Sequence, residues 1–277
     1  MTVTIARPAR RVGLQVALLI MVFVSLAPIA VILSISLKTN TELATNPLGL
    51  PQQWLFSNFA EAWNEAGIGR YILNSILVAV PTLIIVVVVA SLAGYAFAMM
   101  RFRGREALFT VFLIGLMLPA VSIVIALSFV QQNLGLYDTL PGLILAEAAM
   151  CIPLAVFIMR AAFRDLPHEL REAVFIDGGS ELTAFLRVMF PLARPAVSAT
   201  VVLTFLTVWN DYLIPLVLIN TESLRTVPLG LAFLKTSFTS DIVLIAASTA
   251  LAALPSILIY VLLQRQFIQG IAQGSIK

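Results

Sequence analysis

The chain has 277 residues, 60% of them hydrophobic and only 11% charged, with a mean hydropathy of +1.02 and a formal charge of +3. This composition excludes a soluble globular domain, and so small a charge spread over short loops gives no footprint for nucleic acid. The single cysteine, Cys151, excludes an internal disulfide and a cysteine-based metal site, and is expected to be a buried core thiol.

Residues 1–11 hold Arg7, Arg10 and Arg11 and no acid, and residues 12–37 are then apolar apart from Gln15 and three serines. That run is too long for a cleaved signal and has no small-residue cleavage site before Lys38, so it is predicted to be an uncleaved first span, bent at Pro28. Residues 38–69 are polar and aromatic, and Trp54 and Trp63 predict a loop that rests on lipid headgroups. A second span is predicted over 71–100. Asn74 and Ser75 enter near its start, where they can bond to neighbouring helices, and Gly94 and Ala98, one turn apart, permit close helix contact.

A compact basic turn, 101–105, leads to a third span over 106–129, interrupted by Pro119. After a loop at 131–141 the fourth span, 142–163, carries Glu147 and Pro153. A carboxylate in hydrocarbon is costly and marks a pathway or a pairing.

Residues 165–191 form a polar stretch between two apolar runs, and so a single loop at one face of the bilayer. Asp165 can cap a helix with Pro167 in its first turn, and Leu170, Ala173, Val174 and Asp177 then share one face. Gly178 and Gly179 end that helix. Ser180 can cap a second, with an apolar stripe of Leu182, Phe185, Leu186 and Met189, until Pro191 breaks it. A turn needs only a few residues, so a folded, charged hairpin implies that something is held there. A fifth span, 196–219, carries Asp211 after Trp209 and Asn210 and before Tyr212 and Pro215. An outer loop with Pro228 and Gly230 precedes a sixth span, 242–263, and a short polar tail, 264–277.

Basic residues set the orientation. Three lie in the N-terminus, three in the 101–105 turn, five in 160–194 and two in the tail, so thirteen of the 17 share one side, against Lys38, Arg70, Arg225 and Lys235. This bias puts both termini and the hairpin in the cytoplasm. The expected fold is therefore all-α: a polytopic membrane protein of six transmembrane helices in one domain over 12–263, flanked by a cytoplasmic N-terminus and tail.

Glu172-Ala173-Val174, Asp177-Gly178 and Phe190-Pro191-Leu192 resemble the EAA loop of the membrane subunits of bacterial ABC importers. Glu172, Ala173 and Gly178 match in place. Val174 stands where a second alanine is usual, which would alter the fit of the docking face, and Phe190 precedes Pro191 where the family has leucine. Phe56–Trp63, Leu134–Thr139, Trp209–Pro215 and the tail from Phe267 are similar to the sugar-importer branch, of which the maltose-type permeases are members.

The resemblance implies a heteromeric complex in the bacterial inner membrane. It would contain a second homologous permease, two copies of a cytoplasmic ATPase that bind ATP and magnesium, and an extracytoplasmic solute-binding protein. It assigns ATPase coupling to Glu172, Ala173, Asp177, Gly178 and Pro191, as a coupling helix.

This chain has no glycine-rich phosphate loop, and its one histidine, His168, has no ligand or nucleophile beside it, so no catalysis and no cofactor is expected of the chain itself. Trp209, Asn210, Asp211 and Tyr212 are candidates for the solute path, since aromatic, amide and acid groups bind hydroxyls and stack on sugar faces. The competing role for them is polar glue between helices. The absence of a basic residue from the middle of the spans favours a neutral sugar or polyol. Two other classes explain the spans: an ion- or proton-coupled secondary transporter, which would need a titratable network where Glu147 and Asp211 stand isolated, and a membrane scaffold, which leaves the hairpin without a task.

Overall fold

A computed structural model describes the backbone of residues 8–237 and 241–275, and the side chains of 13–234 and 241–262. The described residues contain helices and no strands. They divide into two compact units, one from the N-terminus to Ile68 with Phe233–Ala253, the other Gly69–Ala232 with the chain from Leu254 onward.

In the first unit, α1 (Pro8–Ser36) is a 29-residue apolar helix with Pro28 inside it. The apolar window from Gly13 has no buried residue, as befits a helix whose whole circumference is hydrocarbon. The next segment folds back on the end of α1 through short helices α2 (Asn40–Thr45) and α3 (Ser57–Asn64). Lys38 is fully buried, and its ammonium donates to the Asn46 carbonyl at 2.7 Å. Asn58 donates to the Ser36 and Lys38 carbonyls, closing the end of α1. Trp54 and Trp63 stay exposed.

The second unit carries the residues of functional interest. Helix α4 (Ile68–Met99) has 32 residues. Helices α5 (Arg105–Met117) and α6 (Ala120–Asn133) meet at a bend of 107°. The expected third span is therefore not one continuous helix: Pro119 drives Leu118 into extended backbone, with φ −82° and ψ 117°. Helix α7 (Leu140–Arg164) is the most buried of the long helices and packs against α5.

Gly94 of α4 sits where an added Cβ would lie 2.7 Å from Met159 Cβ and 2.8 Å from the Arg160 nitrogen, so α4 and α7 touch backbone to backbone, as expected of Gly94. Asn74 donates to the Ser223 and Arg225 carbonyls, and Ser75 Oγ accepts from the Val227 N–H. These two residues thus fasten the outer loop and the first turn of α13 (Val227–Ser237), a helix where only a loop was expected.

Helix α14 (Ile242–Ser275) continues 12 residues past the expected end of the sixth span, so the tail backbone is helical to Ser275. The expectations for Arg7, Arg10, Arg11, Lys235, Arg265 and Lys277 fall outside the described side chains. Among the described residues four helices are long and apolar enough to cross a membrane, and up to six elements if each bent pair counts as one.

Candidate functional site

Two places in the second unit hold the residues singled out in the sequence. The first is the hairpin. Asp165 closes α7, its N–H bonding to the Ala161 and Phe163 carbonyls, instead of opening the next helix. That helix, α8 (His168–Ile176), starts behind Pro167, whose fixed φ of −58° suits a helix entry. It ends in a Schellman turn: Gly178 N–H bonds to the Phe175 carbonyl at 3.0 Å and Gly179 N–H to the Val174 carbonyl at 2.8 Å. Gly178 adopts φ +78°, which a side chain would strain.

A Cβ on Gly179 would run into Val174. Val174 thus packs against the inside of the turn. None of the nine residues of α8, all of them described, is buried, and Ile176 is 86% exposed. Glu172, Ala173, Asp177 and Gly178 lie together on this open helix and its cap.

The return arm begins at α9 (Glu181–Thr183), capped by Ser180 Oγ, which accepts from the Thr183 N–H. It runs through a π turn, Ala184–Met189, into α10 (Phe190–Leu192). The wider turn splits the expected apolar stripe, burying Phe185 and Met189 while Leu182 and Leu186 stay 61% and 54% exposed. Pro191 does not break this arm. The bend of 73° comes at Ala193, before α11 (Arg194–Asn210), where the ring of Pro195 excludes an α-helical bond to the Pro191 carbonyl.

Three residues that sequence reasoning missed hold the hairpin. The Arg171 guanidinium donates to both oxygens of Glu181, at 2.9 and 2.6 Å, and the Tyr95 hydroxyl donates to Glu181 Oε1 at 2.5 Å. Tyr95 lies near the end of α4, and its ring packs edge-on against Phe163 of α7 and tilted against Phe185 of the return arm. The Arg171 fork holds the Glu181 carboxyl below its ordinary range against the opposing effect of burial, and Tyr95 adds to the lowering. Arginine and glutamate ten residues apart across a glycine turn were a readable signal. Tyr95 was not, because its partner is 86 residues away.

The second place is a break in the stretch expected to be the fifth span. Helix α11 ends at Asn210, Asp211 is extended at φ −71° and ψ 130°, and α12 (Leu213–Leu218) resumes beyond it. Pro215 lies four residues after Asp211, so it cannot donate to the Asp211 carbonyl and its ring displaces it. The helix expected to be continuous over 196–219 is therefore broken there. Asp211 Oδ1 accepts the freed Leu213 N–H at 2.9 Å.

The Asp211 carboxyl faces that of Glu147 from α7, so these two acids are a pair and not the isolated groups expected. Glu147 is 1% exposed, and its Oε1 has no hydrogen-bond partner among the described residues. Cys151, buried one turn further along the same face, completes the cluster.

The other candidates diverge. Trp209 is buried and stacks on Phe205 with ring centroids 5.4 Å apart, Asn210 donates back to the Leu206 carbonyl, and Tyr212 points outward. The arrangement offers a buried acid pair beside a helix break, which can bond hydroxyls when opened, and an uncovered helix on a rigid mount, which can dock a partner.

Residues 87–273 match the family described as binding-protein-dependent transport system inner membrane component. The chain is 36% identical over 254 residues to the diacetylchitobiose uptake system permease protein NgcG of Streptomyces coelicolor, covering 91% of this chain and 84% of that protein. It is 30% identical to the arabinooligosaccharides transport system permease protein AraQ of Bacillus subtilis, covering 96% of each. Its fold resembles a chain from the crystal structure of a bacterial ABC transporter involved in the import of the acidic polysaccharide alginate. The TM-score is 0.80 at 22% identity, over 96% of this chain and 100% of that one.

Proposed function

The chain belongs to the family of binding-protein-dependent transport system inner membrane components and is a multi-pass protein of the inner membrane, and on that premise we propose that it forms half of the solute path of an ATP-driven sugar importer. It pairs with a second homologous permease. The pair receives solute from an extracytoplasmic binding protein and is driven by two ATPase subunits, which supply ATP and magnesium chemistry that this chain lacks. The solute is a neutral oligosaccharide or polyol. Two relatives named for the uptake of diacetylchitobiose and arabinooligosaccharides support this, as does the lack of a basic residue in the middle of the spans.

The observation that carries the coupling role is α8: a short helix with no buried residue, braced from behind by Arg171, Glu181 and Tyr95 and stopped by Gly178. A helix so held presents Glu172, Ala173 and Asp177 without freedom to recede, which is what transmission of a push requires. Six spans with both termini in the cytoplasm put α8 on the ATP side. The four long apolar helices and the two bent pairs, α5 with α6 and the return arm Glu181–Leu192 with α11, are consistent with that count.

Proteoliposomes containing the chain, its partner permease and the ATPase test this reading. Oligosaccharide entry is expected to require ATP on the ATPase side and to survive collapse of ion gradients by an ionophore. Uptake driven by a proton or sodium gradient without ATP would instead make the chain a secondary transporter, a reading that the buried Glu147–Asp211 pair would then serve.

A further inference from the structure

Beside α8, a cavity of about 1100 Å³ opens between three segments that approach it from different parts of the chain. Arg101 and Arg105 come from the turn after α4, Arg160 and Arg164 from the last turns of α7, and His168 and Arg171 from the hairpin. Five guanidinium groups thus converge on one space, against two lining carboxylates, Glu106 and Glu172.

Much of this charge is already committed. Glu106 bridges Arg105 at 2.9 Å and Arg160 at 2.8 Å, and Arg160 is pinned further by stacking on the Phe109 ring at 3.7 Å. Arg171 is bound to Glu181. Arg101 and Arg164 have no ion pair among the described residues. Both line a space whose fixed arginines add to their field, and an anion seated there would relieve the repulsion.

The lining also has an apolar side, Phe97 and Met99, contributed by the last turn of α4. The cavity therefore sits at the end of two long apolar helices, at headgroup depth if they cross the membrane, and its lining combines arginines with hydrocarbon-compatible side chains. Guanidinium forks match phosphate oxygens in pairs, and basic pockets between membrane helices hold anionic headgroups.

We propose that this cavity binds a phosphate-bearing anion through Arg101 and Arg164, supplied as the headgroup of an anionic phospholipid in the adjoining leaflet. The inference rests on α4 and α7 as spans, not on ATPase coupling, so it stands or falls separately from the role of α8. With the anion in place, the 101–105 turn, the end of α7 and the base of α8 are held by one shared counter-charge. The bilayer thereby becomes part of the mount of the hairpin.

The full-length chain, purified in mild detergent and stripped of lipid, is titrated with phosphatidylglycerol, with phosphatidylcholine and with inorganic phosphate, and adducts are read by native mass spectrometry. Wild type is expected to hold phosphatidylglycerol at least about tenfold more tightly than phosphatidylcholine. Arg101→Gln with Arg164→Gln should lose that preference.

Arg103→Gln with Arg70→Gln, which removes two charges from outside the lining, should keep it. Arg101→Lys with Arg164→Lys keeps the charge without the fork. It should lose at least about threefold of the preference, and preserves the test if the glutamine pair does not fold. Phosphate adducts that depend on Arg101 and Arg164 and displace the lipid at millimolar concentration would assign the same site to a soluble phosphate. Equal lipid preference in wild type and the glutamine pair, or equal loss in the cavity and control variants, would overturn the proposal.

Discussion

Glu181 receives two hydrogen bonds from the Arg171 guanidinium, at 2.9 and 2.6 Å, so the return arm of the hairpin is tied to the helix that precedes it. The carboxyl is held below its ordinary value of 4.5, first by Arg171. A depressed folded-state value means that the stabilisation is fully present above the unfolded value and is lost as pH falls through the lower folded one. Amide exchange of residues 168–192, corrected for intrinsic rates, should therefore be flat from neutral pH down to the ordinary carboxylate range and rise below it. Glu181→Gln should exchange faster at neutral pH and show no acid limb. An unchanged profile in the variant would remove the pair from the account.

The contact at Gly94 predicts a steep response to one methyl group. Gly94→Ala places a Cβ 2.7 Å from Met159 Cβ, in a packed seam where neither backbone can yield. Overpacking of this kind costs about 1–3 kcal/mol. Thermal unfolding of the purified protein should fall clearly for Gly94→Ala and hardly at all for Gly13→Ala, which meets nothing within 4 Å. Equal behaviour of the two would show that α4 and α7 are not in contact there.

Asp211 has two tasks that substitutions separate. Its Oδ1 caps Leu213 and its carboxyl faces Glu147. Asp211→Asn keeps the cap, so the protein should remain assembled, and its transport rate or selectivity should change if the pair opens to solute. Asp211→Leu loses the cap as well and should cost about 1 kcal/mol or more in stability. With Cys151 replaced, Asp211→Cys should label with a membrane-impermeant thiol reagent only in states where the path is open. No labelling in any state, with normal uptake by Asp211→Asn, would leave Asp211 as a structural residue.

At the hairpin cap, Gly178→Val forces a β-branched residue to φ +78°, and Glu172→Ala removes an exposed charge without touching the fold. Both variants should insert normally. Each should retain less ATPase on affinity purification and show weaker solute-stimulated hydrolysis, with Gly178→Val the more affected. Wild-type values for both would contradict a docking role for α8.

Local features of this architecture were legible, and distant ones were not. Long apolar runs specified α1, α4, α7 and α14, and the Gly178-Gly179 pair specified the turn of the hairpin, because both signals act over a few residues. The break at Asp211 had a signal in Pro215, four residues on, but helical hydrophobicity on both sides masked it. The fold at Leu118 was visible as Pro119 without its angle, since a proline permits a range of bends and packing on α7 selects one. The π turn at 184–189 reassigned Leu182 and Leu186 to the surface, and helical spacing cannot register an extra residue per turn. The Tyr95–Glu181 bond and the Glu147–Asp211 pair join segments 86 and 64 residues apart, so only the fold could bring them together.

The most direct test of the central claim is proximity between α8 and the ATPase. Ile176, 86% exposed at the end of α8, is changed to cysteine in a chain whose Cys151 is replaced, and the assembled complex is treated with a short thiol-directed photocrosslinker. A crosslink from position 176 to the ATPase subunit is expected, with a yield that changes on addition of ATP, and none from cysteine at Trp54. A complex that contains the ATPase yet gives no crosslink from position 176 in any nucleotide state would contradict it.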